Sequence, residues 1–198
     1  MFKKLTVLLM LVLTVVLAGC AQTEHKTGTT GSVTDVTGSG TSIVEKLDPN
    51  LKQVELTVYR VPKNGDTHLV PEKVKYAIGS KKMPEAVMDA LVNTAPASKQ
   101  LMNVFPAGTK VLGVTVGGDT ATVDFNENFA MRGQGSYNEM MMVNAVVCTL
   151  TEIKGIKKVK FFVNGKSIDT INGHMDLGDP LERLPGMIRK QAGSTEKQ

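Results

Sequence analysis

The segment Phe105–Phe125 constrains the fold of this chain more than any other, because it contains two runs of strict alternation on either side of a glycine turn. Apolar side chains occupy every second position of the two runs, at Leu112, Val114, Val116, Ala121, Val123 and Phe125. Alternation that is interrupted only by Gly117-Gly118-Asp119 predicts a β-hairpin with one apolar face. That face needs a cover, and a helical pattern lies on each side of the hairpin in the sequence. We therefore predict an α+β domain.

The segment before the hairpin predicts two strands and a helix. Alternating apolar residues indicate a first strand around residues 54–58, and a second strand at residues 68–78 contains Pro71. Proline cannot donate a ladder hydrogen bond, so we expect the second strand to lie at an edge. Pro84 stands in the first turn of a helical pattern over residues 83–93, which is where proline is tolerated in a helix.

The segment after the hairpin predicts the longest helix of the chain. Ser136 and Glu139 have the spacing of a capping box, in which each side chain accepts a hydrogen bond from the other residue's backbone. Apolar residues then recur on one helical stripe, at Met140, Val143, Val147 and Leu150. We expect this stripe to be the main cover of the sheet.

A second hairpin is predicted near the end of the domain, because Asn164-Gly165 is the preferred type I′ turn. Closure by two residues places Phe161 opposite Ile168 and Val159 opposite Thr170. The predicted order is ββαββαββ, with a mostly antiparallel sheet covered by two helices in a compact single domain.

The first 20 residues combine a basic start, an apolar run and the ending L-A-G-C, which is typical of a secretory signal peptide. The apolar run is short for a bilayer-spanning helix. L-A-G-C resembles the lipobox of bacterial lipoproteins, whose cysteine is acylated and becomes the first mature residue. We therefore expect a signal peptide at residues 1–19 and lipid attachment at Cys20, which would anchor the chain at the extracytoplasmic face of the cell membrane. An ordinary signal peptide that ends near a cysteine is the alternative.

Residues 20–52 predict a flexible tether, since they are rich in Gly, Thr and Ser and hold only scattered valines. The domain is predicted over residues 53–185, and residues 186–198 are predicted to be a disordered polar tail. Removal of residues 1–19 would leave 21 basic and 19 acidic residues, a net charge near +2. No arginine cluster or basic stripe accompanies this charge, so we expect no nucleic-acid partner.

Several motifs together resemble the sporulation and spore germination domain called GerMN. They are LVPE at residues 69–72, FPAGTKVLGV at 105–114, ATVDF at 121–125, the strand and turn at 159–165, and GHMDLGDPL at 173–181. The resemblance covers Gln53–Arg183 and includes one copy of the domain. It implies an α/β fold similar to the ring-building modules of envelope-spanning secretion assemblies. It also implies a docking or scaffolding role rather than catalysis.

Candidate residues for chemistry are few. His174 and Asp176 form the one close His/Asp pairing, with two interpretations: a charge-assisted pair at a functional or partner surface, or a structural closure in which His174 hydrogen-bonds the backbone and Asp176 caps the chain. Asp124 and Glu127 are the best pair of carboxylates for acid/base work, although Asp124 is interpreted mainly as a strand-end residue. Cys148 lies in an apolar helical pattern and is predicted to be a buried core residue. No metal or cofactor is expected.

The sequence thus predicts a membrane-anchored, non-enzymatic envelope lipoprotein that binds protein partners, in sporulation, spore germination or envelope assembly. A homo-oligomer remains open. The alternatives from other classes are a lipoprotein that binds a small ligand and an extracytoplasmic hydrolase that acts on peptidoglycan. A deep apolar pocket would favour the ligand binder, and a cleft lined by converging carboxylates would favour the hydrolase.

Overall fold

The structure, a computed structural model, describes residues 52–133 and 135–189. The expected signal peptide, Cys20 and nearly all of the expected tether lie outside the described residues, as do the last nine residues of the expected tail. No helix within the described ranges is both long enough and apolar enough to cross a membrane.

Eight strands and two helices make up the described domain. In chain order they are β1 (Gln53–Pro62), β2 (Val70–Ala77), α1 (Met83–Asn93), β3 (Leu101–Met102), β4 (Val111–Gly117), β5 (Thr120–Phe125), α2 (Gly135–Leu150), β6 (Lys158–Val163), β7 (Lys166–Ser167) and β8 (Leu181–Glu182). The predicted α+β class and element order are confirmed, with two additional two-residue strands, β3 and β8. Short 3-10 turns at Glu127–Ala130 and Pro185–Met187 complete the chain.

The strands form two sheets rather than the one that the sequence analysis described. The first is antiparallel, with the order β2-β1-β3, and it places Pro71 of β2 on an edge strand as predicted. The second has the order β4-β5-β6-β7, and β8 also pairs with β6. Within it β5 and β6 are parallel. They are parallel because α2 carries the chain back to the starting end of the sheet, as in a βαβ unit.

Both predicted hairpins are present, with one error of register. The turn between β4 and β5 lies at Gly118-Asp119, and the turn between β6 and β7 has positive φ at Asn164 (48°) and Gly165 (75°), as a type I′ turn requires. The amide of Ile168 donates to the carbonyl of Phe161 at 3.3 Å, as predicted. Val159, however, pairs with Leu181 of β8 and not with Thr170.

Helix α2 is buried on every side, which differs from the single stripe expected. Every residue from Met141 to Leu150 is buried, including polar Asn144 and Thr149. The reason is that α2 packs against β1, α1 and β6 together, so its central turns have no solvent-facing side.

Four phenylalanine rings form the centre of the core beneath the second sheet. The rings of Phe125 and Phe129 are stacked with their centroids 4.0 Å apart, and Phe161 lies 6.0 Å from Phe129. Phe105, which begins the loop before β4, lies 6.4 Å from both Phe125 and Phe129. The apolar face predicted for β5 is therefore confirmed, since Phe125 is completely buried.

A buried arginine joins the first sheet to the end of α1. Arg60 is 1% exposed, and its guanidinium donates to the carbonyl oxygens of Leu91 (2.7 Å) and Thr94 (2.9 Å). It also forms an ion pair with Glu72, at 3.0 Å. Carbonyl groups at a helix C-terminus lack partners within the helix, so Arg60 satisfies them from a strand.

The last described residues close the domain. Arg183 donates to the carbonyl of Cys148 and to Glu152, at the C-terminal end of α2. Ile188 bridges Leu69, and the amide of Arg189 donates to the carbonyl of Leu69 at 2.9 Å. The predicted domain boundary at residue 186 therefore falls inside a paired segment.

Candidate functional site

Strand β4 forms one edge of the second sheet. It pairs with β5 on one side, and no other described strand pairs with it. Gly117 and Thr120 flank the two-residue turn and pair with each other. In such a hairpin the two residues that flank the turn exchange backbone hydrogen bonds, and hydrogen-bonded and non-hydrogen-bonded pairs then alternate along the two strands. Val114 and Val116 therefore direct their N–H and C=O groups away from β5, toward the open edge.

The edge of β4 carries exposed apolar side chains. Leu112 is 53% exposed and Val116 is 48% exposed, although the alternation predicted that both face the core. The register of β4 against β5 shifts between Val111 and Gly113, so Leu112 lies in a bulge and leaves the core face. Val116 pairs with Ala121 near the turn, beyond the cover that buries Val114.

A groove of about 220 Å³ runs between the β4 edge and helix α1. One wall is Val111–Gly113, and the other is formed by Glu85 and Asp89 of α1 with Lys81 just before the helix. Lys81 and Asp89 form an ion pair at 3.0 Å, and this hydrogen bond raises the pKa of Lys81. Partial burial acts to raise the pKa of Asp89, but hydrogen bonds from Tyr76, Lys81 and Asn93 hold it below its usual value. The groove thus joins an apolar edge to a wall of mixed charge.

Two asparagines hold the loop that leads into β4. The side chain of Asn126 accepts from the amide of Lys110 (2.8 Å) and donates to the carbonyl of Gly108 (2.9 Å). Asn128 donates to the carbonyl of Ala107, at 3.0 Å. Gly108 has φ +80°, and a Cβ there would lie 2.8 Å from the side-chain Nδ2 of Asn128. The P-A-G-T motif is therefore built around glycine and fixes the start of the exposed edge.

The candidate acid/base carboxylates hold the second turn. Both oxygens of Asp124 lie 3.0 Å from the amide nitrogen of Gly165, and Glu127 accepts from the side chain of Asn164 at 3.1 Å. A hydrogen bond from its own backbone amide, followed by the one from Asn164, lowers the pKa of Glu127. The interpretation of Asp124 as a strand-end residue agrees with these contacts.

His174 and Asp176 are not brought together as a bonded pair. Both side chains are exposed, and the carboxylate of Asp176 accepts from the amide of Gly178 at 2.9 Å. Among the described hydrogen bonds none involves the ring of His174. Of the structural-closure interpretation, the cap by Asp176 is present, whereas the backbone hydrogen bond of His174 is not among the described hydrogen bonds.

The loop that contains His174 is instead held by Glu139, which is completely buried. Its carboxylate accepts from the backbone amides of Asn172 and Met175, both at 3.2 Å. The predicted capping box between Ser136 and Glu139 is wrong, because Glu139 lies one turn inside a helix that begins at Gly135 and points toward this loop. Glutamate at this spacing favours capping in a sequence, and no local signal indicates a distant backbone loop as its partner.

The remaining reactive side chains have ordinary surroundings. Cys148 is completely buried as predicted, and burial raises the pKa of its thiol to about 11, so it is not a thiolate at neutral pH. His68 lies 2.7 Å from Asp66, whose pKa is held far below its usual value first by His68 and then by Arg189. No group of three or more His, Cys, Asp or Glu side chains within residues 52–133 and 135–189 is placed to hold a metal ion.

Comparison with known proteins places these features in a family. Residues 57–169, more than half of the chain, match the Germane family model, described as sporulation and spore germination. The spore germination protein GerM of Bacillus subtilis (strain 168) is 30% identical over 163 residues, which cover 79% of this chain and 43% of GerM. The chain thus spans less than half of that relative.

Two solved structures of GerM from Bacillus subtilis share the fold. The structure of its tandem GerMN domains has a TM-score of 0.55 and 25% identity, covering 66% of this chain and 46% of that chain. The structure of its first GerMN domain has a TM-score of 0.53 and 27% identity, covering 66% of this chain and 98% of that one. From the family match and these two structures, the chain belongs to the Germane family of sporulation and spore germination proteins and contains a GerMN domain.

Proposed function

We propose that this protein is a lipid-anchored envelope protein whose GerMN domain docks an extended segment of a protein partner along strand β4, in sporulation or spore germination. Cys20 is the proposed site of lipid attachment and faces the extracytoplasmic side. The observation that carries the docking role is the β4 edge, where Leu112 and Val116 are exposed beside outward-facing backbone groups. Added strands bind such edges through main-chain hydrogen bonds.

Strand β4 lacks two of the usual protections of an edge strand, which are charged residues and proline. Its seven residues, VLGVTVG, include no charged residue and no proline. Natural edges are commonly blocked by lysine, proline or cover from another element. Helix α1 packs against part of β4, so the exposed and uncharged stretch around Val116 is the part that favours a partner strand. The groove beside it supplies Glu85, which forms no ion pair with a described residue and can pair with a basic side chain on the incoming segment.

The occupant is proposed to be a flexible segment of another envelope protein rather than a second copy of this domain. The bulge at Leu112 interrupts the regular spacing of β4, so two such strands would meet with two bulges in one ladder. A segment that becomes ordered on binding can adapt its backbone to the bulge, which a strand already fixed in a sheet cannot do.

The test is photocrosslinking in cells, with a benzophenone side chain placed in turn at Leu112, Val116 and Ser167. Ser167 is exposed in β7, away from β4, and serves as the matched control. Strand addition predicts adducts from Leu112 and Val116 to one partner, at positions about four residues apart, because paired strands advance together. Val116→Lys should abolish the Leu112 adduct, and Ser167→Lys should leave it unchanged.

Three results would overturn the proposal. They are adducts to unrelated segments of several proteins, equal adducts from the Ser167 probe, and an adduct to β4 of a second copy. The anchor is tested separately, since Cys20→Ser should leave the protein without incorporated fatty acid. Labelled fatty acid on that variant would contradict lipid attachment at Cys20 without affecting the docking edge.

A further inference from the structure

A cleft lined by cationic side chains lies at the end of the first sheet, where β1 ends and the chain turns. Its polar lining residues are Lys63, Asn64, Lys99, Gln100 and Arg189, and the ends of β1 and β3 provide an apolar floor. We refer to it as the cationic cleft. Its volume is about 470 Å³, which lies in the range of small-molecule sites of roughly 300–1,000 Å³.

The charges of the cationic cleft have one sign. Two lysines and an arginine line it, and no carboxylate does. Neither Lys63 nor Lys99 forms an ion pair with any described residue. The groove beside β4 differs, because its Lys81 is paired with Asp89 at 3.0 Å. Arg189 is paired with Asp66, so the uncompensated charge of the cationic cleft comes from Lys63 and Lys99, and an anion would relieve it.

Arg189 is held in place at the cleft wall. Its guanidinium donates to Asp66, whose other oxygen lies 2.7 Å from the ring nitrogen of His68. The hydroxyl of Tyr137 donates to the backbone carbonyl of Asp66 at 2.8 Å, which fixes the turn that carries the carboxylate. A guanidinium has five N–H donors, so the contact with Asp66 leaves donors for a ligand.

The cleft walls are joined by backbone hydrogen bonds. The amide of Lys63 donates to the carbonyl of Gln100 at 2.9 Å, which ties the β1 end to the segment before β3. The amide of Arg189 donates to the carbonyl of Leu69 at 2.9 Å, which ties in the third wall. The lysine ammonium groups are thus attached to a formed scaffold, and binding requires only side-chain adjustment.

From this geometry we infer that the cationic cleft binds a phosphate ester. A phosphate group carries several acceptor oxygens and one or two negative charges, which match two ammonium groups, a fixed guanidinium and the amides of Asn64 and Gln100. A single carboxylate has two oxygens and one charge and would leave donors unused. Free phosphate metabolites, glycerol phosphate polymers of the envelope and phospholipid headgroups share this chemistry.

The inference goes beyond the proposed docking function and stands independently of it. The cationic cleft is formed by the ends of β1 and β3 in the first sheet, whereas the docking edge is β4 of the second sheet. A variant can therefore lose one function and keep the other.

The test is isothermal titration calorimetry with the full chain in an uncharged maltoside detergent, at constant ionic strength. The probes are inorganic phosphate, glycerol 3-phosphate, a glycerol phosphate polymer, and monomeric dihexanoyl phosphatidylglycerol. The tightest of the three ester probes identifies the source of the phosphate ester, and tighter binding of inorganic phosphate than of all three esters would overturn the inference. In the blank titration sodium chloride replaces each probe. Salt screens exposed charge pairs, so the blank gives the heat that added ions cause without specific binding.

Two double variants distinguish binding in the cationic cleft from attraction by the positive charge of the protein as a whole. Lys63→Gln with Lys99→Gln should weaken binding of the tightest probe about tenfold or more, as expected for loss of charged hydrogen bonds. Lys154→Gln with Lys157→Gln removes the same charge from exposed lysines outside the cleft and should leave the affinity unchanged. No binding of any probe by the parent chain, or an equal loss in both double variants, would overturn the inference.

Discussion

Replacement of Glu139 by alanine tests how the loop at residues 172–175 is held. The carboxylate is completely buried and accepts from the amides of Asn172 and Met175, both at 3.2 Å. A hydrogen bond to a charged group contributes about 1.5–3 kcal/mol to stability, and these two are partly buried, so we take the lower value for each. Glu139→Ala should then lower the free energy of unfolding by about 3 kcal/mol, before any additional loss from the cavity.

The assay is urea unfolding monitored by circular dichroism, with a thermal melt as a second measurement. A loss of about 3 kcal/mol corresponds to a decrease of roughly 10 °C in Tm for a domain of this size. Amide hydrogen exchange provides the local measurement, because the amides of Asn172 and Met175 should exchange faster in the variant while α2 amides stay protected. Glu139→Gln keeps one acceptor oxygen and should lose about half as much stability.

Ser136→Ala is the matched control, since it removes the other member of the predicted capping box. Ser136 is exposed and has no hydrogen bond to Glu139 in the structure, so its removal should change stability by less than about 0.5 kcal/mol. Equal losses for Ser136→Ala and Glu139→Ala would restore the capping box and refute the contact with the loop. A Glu139→Ala variant as stable as the parent would refute the reasoning entirely.

Three further predictions concern the core and its polar groups. Phe125→Ala should cost about 3–5 kcal/mol in urea unfolding, because it empties a stacked and fully buried ring position, and an unchanged midpoint would contradict the packing. Arg60→Met should cost a similar amount, about 3–5 kcal/mol, since it removes the only cation paired with Glu72 among the described residues and leaves two helix-end carbonyls without this donor; a more stable variant would contradict this. Burial, followed by the hydrogen bond to Glu152, raises the pKa of Tyr59 from 10.0 to about 12, so the folded state retains this proton longer than the unfolded state does. Its contribution to stability should be full below pH 10 and lost as the pH rises toward 12, and Tyr59→Phe should flatten that part of the stability profile.

Local patterns predicted most of the elements because they act over a few residues. Pro84 begins a helix over residues 83–93 as expected, and Asn164-Gly165 forms the expected turn. Alternation at residues 120–125 predicted the buried face of β5 correctly. In each case the structure is decided by the allowed backbone angles or by the two-residue period of a strand. Both depend only on residues within a short segment.

The errors arise where a distant partner decides. The local pattern predicts that Glu139 is a helix cap, but its partner is the distant loop at residues 172–175. The alternation predicts that Leu112 is a core residue, but the bulge moves it off the core face. Arg60 stands among alternating apolar residues with no local signal of burial, because its partners lie in β2 and α1. The edge position of β4 likewise depends on strand order, which the pattern of a single hairpin does not contain.

Closure of the domain by residues 181–189 has a consequence for how it folds. Arg183 reaches the end of α2, and Ile188 reaches Leu69, more than 100 positions earlier in the chain. The domain therefore completes its fold only once this segment is available, and a chain truncated before Leu181 should remain a partly folded substrate for chaperones and proteases.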